Sequence, residues 1–297
     1  MLVAVCSCKT EEGSEMRYIL ILLALVFIVS ANTETTDAAT SMSSGAGAGG
    51  DAFLDELDYI DLEAIGGTAR CVGVGFDGTN FWVTDAQSGG GPLWIHIIDG
   101  STHNLITTID QAGTSGWGLR DLCSDGTYMF GSEDNQVDVY DIASYTNIGS
   151  YSCFAVSPNR AQAWDGTYFY TGSFAAEVYQ VTWDGVLGST ATYSIWSTAI
   201  ANNGTYGAAW DAYNNCLWVS TAASDNLIYQ LDSGGSLIAE HTYNLLMAGG
   251  STMGSYSGSA DEQLWVLEQG SPDALHCYET GPLALEQHSW GGIKVLF

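Results

Sequence analysis

Positive charge is scarce in this chain. Six Lys and Arg stand against 34 Asp and Glu in 297 residues, a formal charge of −28. Binding along a nucleic-acid backbone relies on cations that displace counterions, and docking on anionic lipid uses the same chemistry, so neither partner fits. The acidic surplus instead suits solubility in a salty medium or at a crowded cell surface. Long apolar runs are scarce too. Tyr18 to Val29 is uncharged, but at about 12 residues it falls short of the ~20 that a membrane-spanning helix needs. With Arg17 before it and Ser30-Ala31 after it, the run reads as a signal peptide over residues 1–31. Met16 is then a second start, and residues 1–15 an upstream extension. No membrane association beyond that signal is expected. No Cys follows the run where a bacterial lipid anchor would require one.

Paired-cysteine chemistry is also missing. Cys71, Cys123, Cys153, Cys216 and Cys277 remain after residue 31, an odd number without a CxxC, and they read as buried free thiols rather than a zinc cluster or a disulfide framework. There is no HExxH, no GxSxG and no phosphate-loop lysine, and the five His show no ligand spacing. Gly73-Val-Gly-Phe-Asp-Gly78 and Gly45-Ala-Gly-Ala-Gly-Gly50 satisfy GxGxxG. The first leads into a hairpin and the second lies in a small-residue leader, so neither supplies the helix N-terminus that a dinucleotide pyrophosphate requires.

What is present is an internal repeat. Gly75-Phe-Asp-Gly-Thr-Asn-Phe-Trp-Val-Thr-Asp85 recurs as Ser124-Asp-Gly-Thr-Tyr-Met-Phe-Gly-Ser132 and as Ala163-Trp-Asp-Gly-Thr-Tyr-Phe-Tyr-Thr-Gly172. Further copies are Ala209 to Ser220 and Ser257 to Leu267. Aligned on Phe81, Met129, Phe169, Leu217 and Leu264, the units are spaced 48, 40, 48 and 47 residues apart, the length of a propeller blade. Asp-Gly pairs at Asp77, Asp125 and Asp165 set tight hairpins. Third strands are predicted at 93–98, 137–140, 178–181, 227–231 and 275–278, and fourth strands at 105–109, 147–153, 189–195, 237–245 and 283–288. The expected fold is all-β: a single propeller of five four-stranded blades over residues 52–297, behind a flexible leader at 32–51. Phe53 to Thr68 resembles Leu237 to Ser251, a fourth strand leading into a first, and so offers a strand to close the ring. Leu283 to His288 competes for that place. Gly73, Asp121, Ala161 and Gly207, with Gly75, Cys123, Ala163 and Ala209, let the innermost strands crowd the axis, and Trp82, Trp218 and Trp265 fill the space between blades.

Over about residues 53–290 these repeats resemble the secreted prokaryotic β-propellers, a broad group with lactonase-like, glutaminyl-cyclase-like and NHL-type members. The five-blade count is shared with glutaminyl cyclases, but no stretch matches their catalytic motifs. Because propellers host unrelated functions, the resemblance implies the fold and leaves the activity open.

Three of the four cations after residue 31 form a pattern. Arg70, Arg120 and Arg160 precede the aligned Asp by seven, five and five residues, at the starts of first strands. Those starts converge on one mouth of the axis, so the expected site is a ring of guanidiniums, with Asp121 beside it, that takes a carboxylate or phosphate. The competing reading pairs each Arg with a blade carboxylate. Glu133 to Asp141 gathers acids as a calcium site would, but it lacks EF-hand spacing and reads better as a solvated loop; no cofactor is expected. Asn203-Gly-Thr205 is a glycosylation sequon. Trp117, Trp183, Trp196 and Trp290 lie outside the repeated positions and are read as core filling, with exposed platforms for sugars or partners as the alternative. The functional expectation is an exported, cell-surface module that binds a small anionic ligand or a protein or glycan partner without catalysis. The alternative is a lactonase, lyase or cyclase working at the Arg-lined mouth.

Overall fold

The structure is a computed structural model describing the backbone of residues 5–9 and 15–19, and residues 54–280 apart from 67–69, 87–90, 114, 201–203, 222–226, 244, 246 and 257–261. It divides into residues 1–48 and 49–297. In the first unit β1 (Val5–Lys9) and β2 (Glu15–Ile19) form an antiparallel pair. No helix among the described residues is long and apolar enough to cross a membrane.

The second unit begins with β3 (Glu56–Asp61) and continues as consecutive meanders. Blade 1 is β4 (Cys71–Phe76), β5 (Asn80–Asp85), β6 (Trp94–Asp99) and β7 (Leu105–Asp110). Blade 2 is β8 (Leu122–Ser124), β9 (Tyr128–Ser132), β10 (Gln136–Asp141) and β11 (Thr146–Ser152). Blade 3 is β12 (Ala163–Trp164), β13 (Phe169–Gly172), β14 (Val178–Thr182) and β15 (Thr192–Ser197). Blade 4 is β16 (Thr205–Asp211), β17 (Cys216–Thr221), β18 (Leu227–Asp232) and β19 (Leu237–Thr242). Blade 5 is β20 (Ala248–Ser255), β21 (Glu262–Glu268) and β22 (Ala274–Tyr278), with β3 as its fourth strand. The innermost strands touch in the cycle β4, β8, β12, β16, β20 and back to β4. This is the five-bladed propeller that the repeat predicts.

The N-terminal strand closes the ring. β3 pairs antiparallel with β22, with Ile60 opposite Leu275 and Asp58 opposite Cys277, which covers an otherwise open sheet edge. Backbone bonds from Leu54 N to Glu279 O (2.8 Å) and from Leu62 N to Asp273 O (3.0 Å) extend the seam. Leu283 to His288 lies outside the described residues.

Local chemistry explains the hairpins. Asp165 Oδ1 accepts the amides of Thr167 and Tyr168, both at 2.7 Å, while Gly166 takes φ +96°. Asp77 and Asp125 cap their turns in the same way. A carboxylate at the first turn position and a glycine at the left-handed one are what such a tight turn selects. The other oxygen of Asp165 accepts the Tyr170 hydroxyl (2.7 Å), and that of Asp77 accepts Trp82 Nε1 (2.8 Å), so each turn also orients an aromatic of the second strand.

The cores lie between blades. Trp82 packs with Leu119, Leu122 and Met129 of blade 2, Trp218 with Met253 and Leu264 of blade 5, and Trp265 with Phe76 and Phe81 of blade 1. All three indoles are fully buried, each removing on the order of 200 Å² from water. The axial glycines are there for close approach: a Cβ on Gly73 would lie 2.6 Å from Arg120 O, and one on Gly207 would lie 2.5 Å from Ser251 N. Cys71, Cys123, Cys153, Cys216 and Cys277 are all free and buried.

Candidate functional site: the arginine-framed mouth of the axis

Cys123, Ala163 and Ala209 stand opposite Phe130, Tyr170 and Trp218 in their blades, which fixes them as equivalent positions. Three residues before them come Arg120, Arg160 and Tyr206. Blades 2, 3 and 4 thus present Arg, Arg and Tyr at the same inner-strand position, on the end of the axis where these strands begin. Arg120 N donates to Ser132 O (2.8 Å) and Arg160 N to Gly172 O (2.9 Å), anchoring both backbones to their hairpins.

The guanidiniums are framed by aromatic rings. Arg160 Cζ lies 3.6 Å from the centroid of Tyr206 and 4.7 Å from that of Phe174. Arg70 and Arg120 share one ring, Trp117, at 4.1 and 5.3 Å. Trp117 is 44% exposed, so it is not the core filler that its sequence context suggests; it stands at the rim. Trp183 stacks on Tyr151 (4.7 Å, 14°) and Trp196 packs edge-on to Tyr170 (4.7 Å), each at a blade core, whereas Trp290 lies outside the described residues.

Polar scaffolding holds the Trp117 loop. Gln111 Oε1 accepts Leu119 N (2.7 Å), and its Nε2 donates to Trp94 O (2.6 Å) and Asp85 O (3.2 Å). Glu133 Oε1 accepts Ser115 N at 2.5 Å. Neither Gln111 nor Glu133 belongs to a recognisable motif, and their roles depend on a loop that folds back across the blade.

The charge balance at the mouth is unusual. Arg120 and Arg160 are each only 8% exposed, and the Nε of each is buried with no hydrogen-bond partner. Among the described residues no carboxylate lies within ion-pairing distance of either guanidinium. Burial lowers the pKa of Arg160 to about 10, helped by the positive field of Arg120 and opposed by Tyr206. Arg120 is lowered by burial as well, opposed chiefly by Asp134. Both remain cationic at neutral pH, and both have unused donors. Among the described residues these two arginines are not ion-paired with a blade carboxylate, as the competing sequence reading had them.

Asp121 is the next residue inward and fully buried. Its Oδ2 accepts Gln162 N (3.0 Å) and Ala208 N (3.0 Å), and its Oδ1 accepts Ser251 N (3.1 Å). Blades 3, 4 and 5 therefore converge on a carboxylate from blade 2. Burial raises its pKa well above the usual carboxylate range, while the amide donors hold it down. A Cβ on Gly250 would run into Oδ1, and one on Gly73 would lie 2.8 Å from Asp121 Cα. The axis is thus filled at this level.

The acids of Glu133 to Asp141 are bound within the protein by different partners. Gln136 Nε2 bridges Glu133 (3.1 Å) and Asp138 (3.0 Å), while Asp141 caps its own turn through Ser144. No group of three or more His, Cys, Asp or Glu poised for a metal ion occurs among the described residues. Asn203 of the sequon lies outside them.

Two solved structures resemble this chain to different degrees. Glutaminyl cyclase from Myxococcus xanthus superposes with a TM-score of 0.52 at 6% identity, over 76% of this chain and 95% of that one. A calcium-binding protein, regucalcin, from Agrobacterium tumefaciens gives a TM-score of 0.46 at 12% identity, over 71% of this chain and 90% of its own. The likeness to the first, at 6% identity, concerns the fold alone. By sequence, no protein family and no curated protein matches the chain.

Proposed function

We propose that this propeller is a binding module whose ligand is a small anion, carboxylate or phosphate, held at the mouth framed by Arg70, Arg120 and Arg160. The observation that carries this is the pair of buried guanidiniums, neither within ion-pairing distance of a carboxylate among the described residues. In a chain where acids outnumber bases 34 to 6, leaving Arg120 and Arg160 without a direct ion pair goes against composition. A buried cation without a contacting counter-charge is costly, and an anionic ligand relieves the cost when it binds. Guanidiniums oriented by aromatic rings also lose little further freedom on forming paired N–H···O bonds. Trp117 and Phe174 add exposed rings to flank a planar ligand.

The lactonase, lyase or cyclase reading would use Asp121 as acid or base. Its oxygens already serve three backbone amides, so we assign it the support of the mouth and read the module as non-catalytic. The apolar run at residues 18–29 supports export to the cell surface or beyond, which N-terminal sequencing of protein from the producing cells would test.

Calorimetric titration with citrate and inorganic phosphate tests the proposal, with a neutral polyol as control. Saturable binding that weakens at least about tenfold in Arg120→Ala and in Arg160→Ala, and weakens further with salt, is expected. Equal binding by the variants, or none by any anion to the folded protein, would overturn it.

A further inference from the structure

The opposite end of the axis carries a second hollow, distinct from the arginine mouth. Its rim is built by the repeat itself: Phe76, Ser124, Trp164, Trp210 and Met253 occupy the same position in the five blades, directly after the small inner-strand residue. All five line one cavity of about 300 Å³. Its floor is set by Cys123, Ala163, Ala209 and Thr252. Because Arg120 precedes β8 and Ser124 ends it, the two mouths lie at opposite ends of the inner strands, with Asp121 between them. At about 3.3 Å per residue, the three steps from Arg120 to Cys123 span roughly 10 Å.

The chemistry of this hollow is the reverse of the other. Its acids are Asp165 and Glu262, and no Lys, Arg or His is among its described lining residues. Trp164 and Trp210 are each packed on one side by a blade aromatic, Phe169 at 4.4 Å and Tyr170 at 5.4 Å, which fixes the two indoles as walls. Asp165 is locked by its turn amides and the Tyr170 hydroxyl. Glu262 stands at the exposed edge of the hollow, where partial burial with the charge of Asp211 added raises the pKa of its carboxyl. An adjoining side hollow of about 340 Å³ shares Asp165, Trp210 and Ala212 with it and extends between blades 3 and 4, leaving room for a substituent.

We propose that this hollow binds a small organic cation, an amine or quaternary ammonium, held against the faces of Trp164 and Trp210 with Asp165 and Glu262 as counter-charges. Indole faces attract cations through their quadrupole, most strongly where water is excluded. The volume matches the lower end of small-ligand sites. A neutral sugar would need several fixed donors along the lining, and the floor offers mainly Ala, Thr and Cys side chains. The site stands independently of the arginine mouth.

Choline, and its uncharged carbon isostere 3,3-dimethylbutan-1-ol, distinguish the readings when titrated into the full chain, followed by tryptophan fluorescence and calorimetry. Saturable choline binding is expected, with the isostere at least about tenfold weaker. Glu262→Gln should weaken choline several-fold without lowering the melting temperature of the free protein, and Trp210→Leu should weaken it at least as much. Arg120→Ala should leave choline binding unchanged, and phosphate should not compete. Equal affinity for the isostere, binding of glucose in place of choline, no choline binding by the folded chain, or an unaffected Glu262→Gln would each overturn the proposal.

Discussion

Asp121 Oδ1 accepts the amide of Ser251 at 3.1 Å across 130 residues of sequence, joining blade 2 to blade 5 at the axis. With the amides of Gln162 and Ala208 on its other oxygen, one side chain satisfies buried donors from three blades. Asp121→Ala would orphan all three at once. Each unsatisfied buried donor costs about 1–3 kcal/mol, so a loss of at least about 3 kcal/mol is expected in urea unfolding. Asp121→Asn should do little better, because its amide group turns N–H donors toward backbone N–H donors. A loss below about 1 kcal/mol would show that Asp121 is not a structural hub.

Arg160 contrasts with it, being buried without an acid. Replacing it with Met keeps an unbranched apolar stem while removing the unpaired charge and its place over the Tyr206 ring. Arg160→Met is therefore expected to stabilise the free protein, by about 1 kcal/mol, while abolishing anion binding. Thermal unfolding with and without citrate measures both effects. Destabilisation of the free variant would indicate that the guanidinium already has a full set of partners.

Asp138 gives the pH dependence a sign. Burial, with the neighbouring charge of Glu133 added, raises its pKa to about 7 from an ordinary 3.8, and its Oδ2 has no hydrogen-bond partner. Between about pH 4 and pH 7 the folded protein keeps a proton that the unfolded chain has released, so this group makes stability fall as pH rises through that window. Asp138→Asn, whose amide can donate toward Glu133, should be more stable than the parent at pH 8 by on the order of 4 kcal/mol, with the difference vanishing near pH 4. Melting temperatures of both proteins across this range check it. A constant difference would remove Asp138 as its source.

The buried cysteines should be chemically silent. Burial raises the pKa of Cys216 to about 11, and those of Cys123 and Cys277 rise as well, so little reactive thiolate exists at pH 8. Iodoacetamide is expected to leave all five of Cys71, Cys123, Cys153, Cys216 and Cys277 unmodified in the native protein and to label all five in urea, read peptide by peptide by mass spectrometry. Rapid native labelling of Cys123, at the floor of the second hollow, would show that solvent reaches it.

Much of this architecture is legible in the sequence because it is locally encoded. Asp77-Gly78, Asp125-Gly126 and Asp165-Gly166 write their turns in two letters, and Phe81-Trp82, Leu217-Trp218 and Leu264-Trp265 mark the buried second strand. The arginines are legible through their scarcity and common offset. The function of Asp121 is not, since its three partners lie 41, 87 and 130 residues away and are backbone amides that no side-chain pattern announces. Tyr206 escapes notice because it shares the position of Arg120 and Arg160 but not their charge. Trp117 and Phe174 sit in loops outside the repeat, where exposure depends on the path of the loop, and Glu133 looks like one more acid in an acidic chain. Phe76, Ser124, Trp164 and Trp210 of the rim are written one letter before an aligned Asp, whereas Met253 is followed by Gly254. Five different side chains at one position show no repeat until the ring brings them together.

The pairing of β3 with β22 makes the chain's order of synthesis matter. The strand that finishes the last sheet emerges from the ribosome among the first, and Glu56 must wait for Tyr278, 222 residues later, before the two can meet. Contacts of such sequence separation form late and slowly. Until then the edge of β3 has no native partner, and four complete blades can assemble around an unfinished fifth. Reopening the chain between β3 and β4 and joining Glu279 to Asp55 through a short linker, without the residues outside that join, would place this strand directly after β22, turning a long-range pairing into a local hairpin without altering a residue of either mouth.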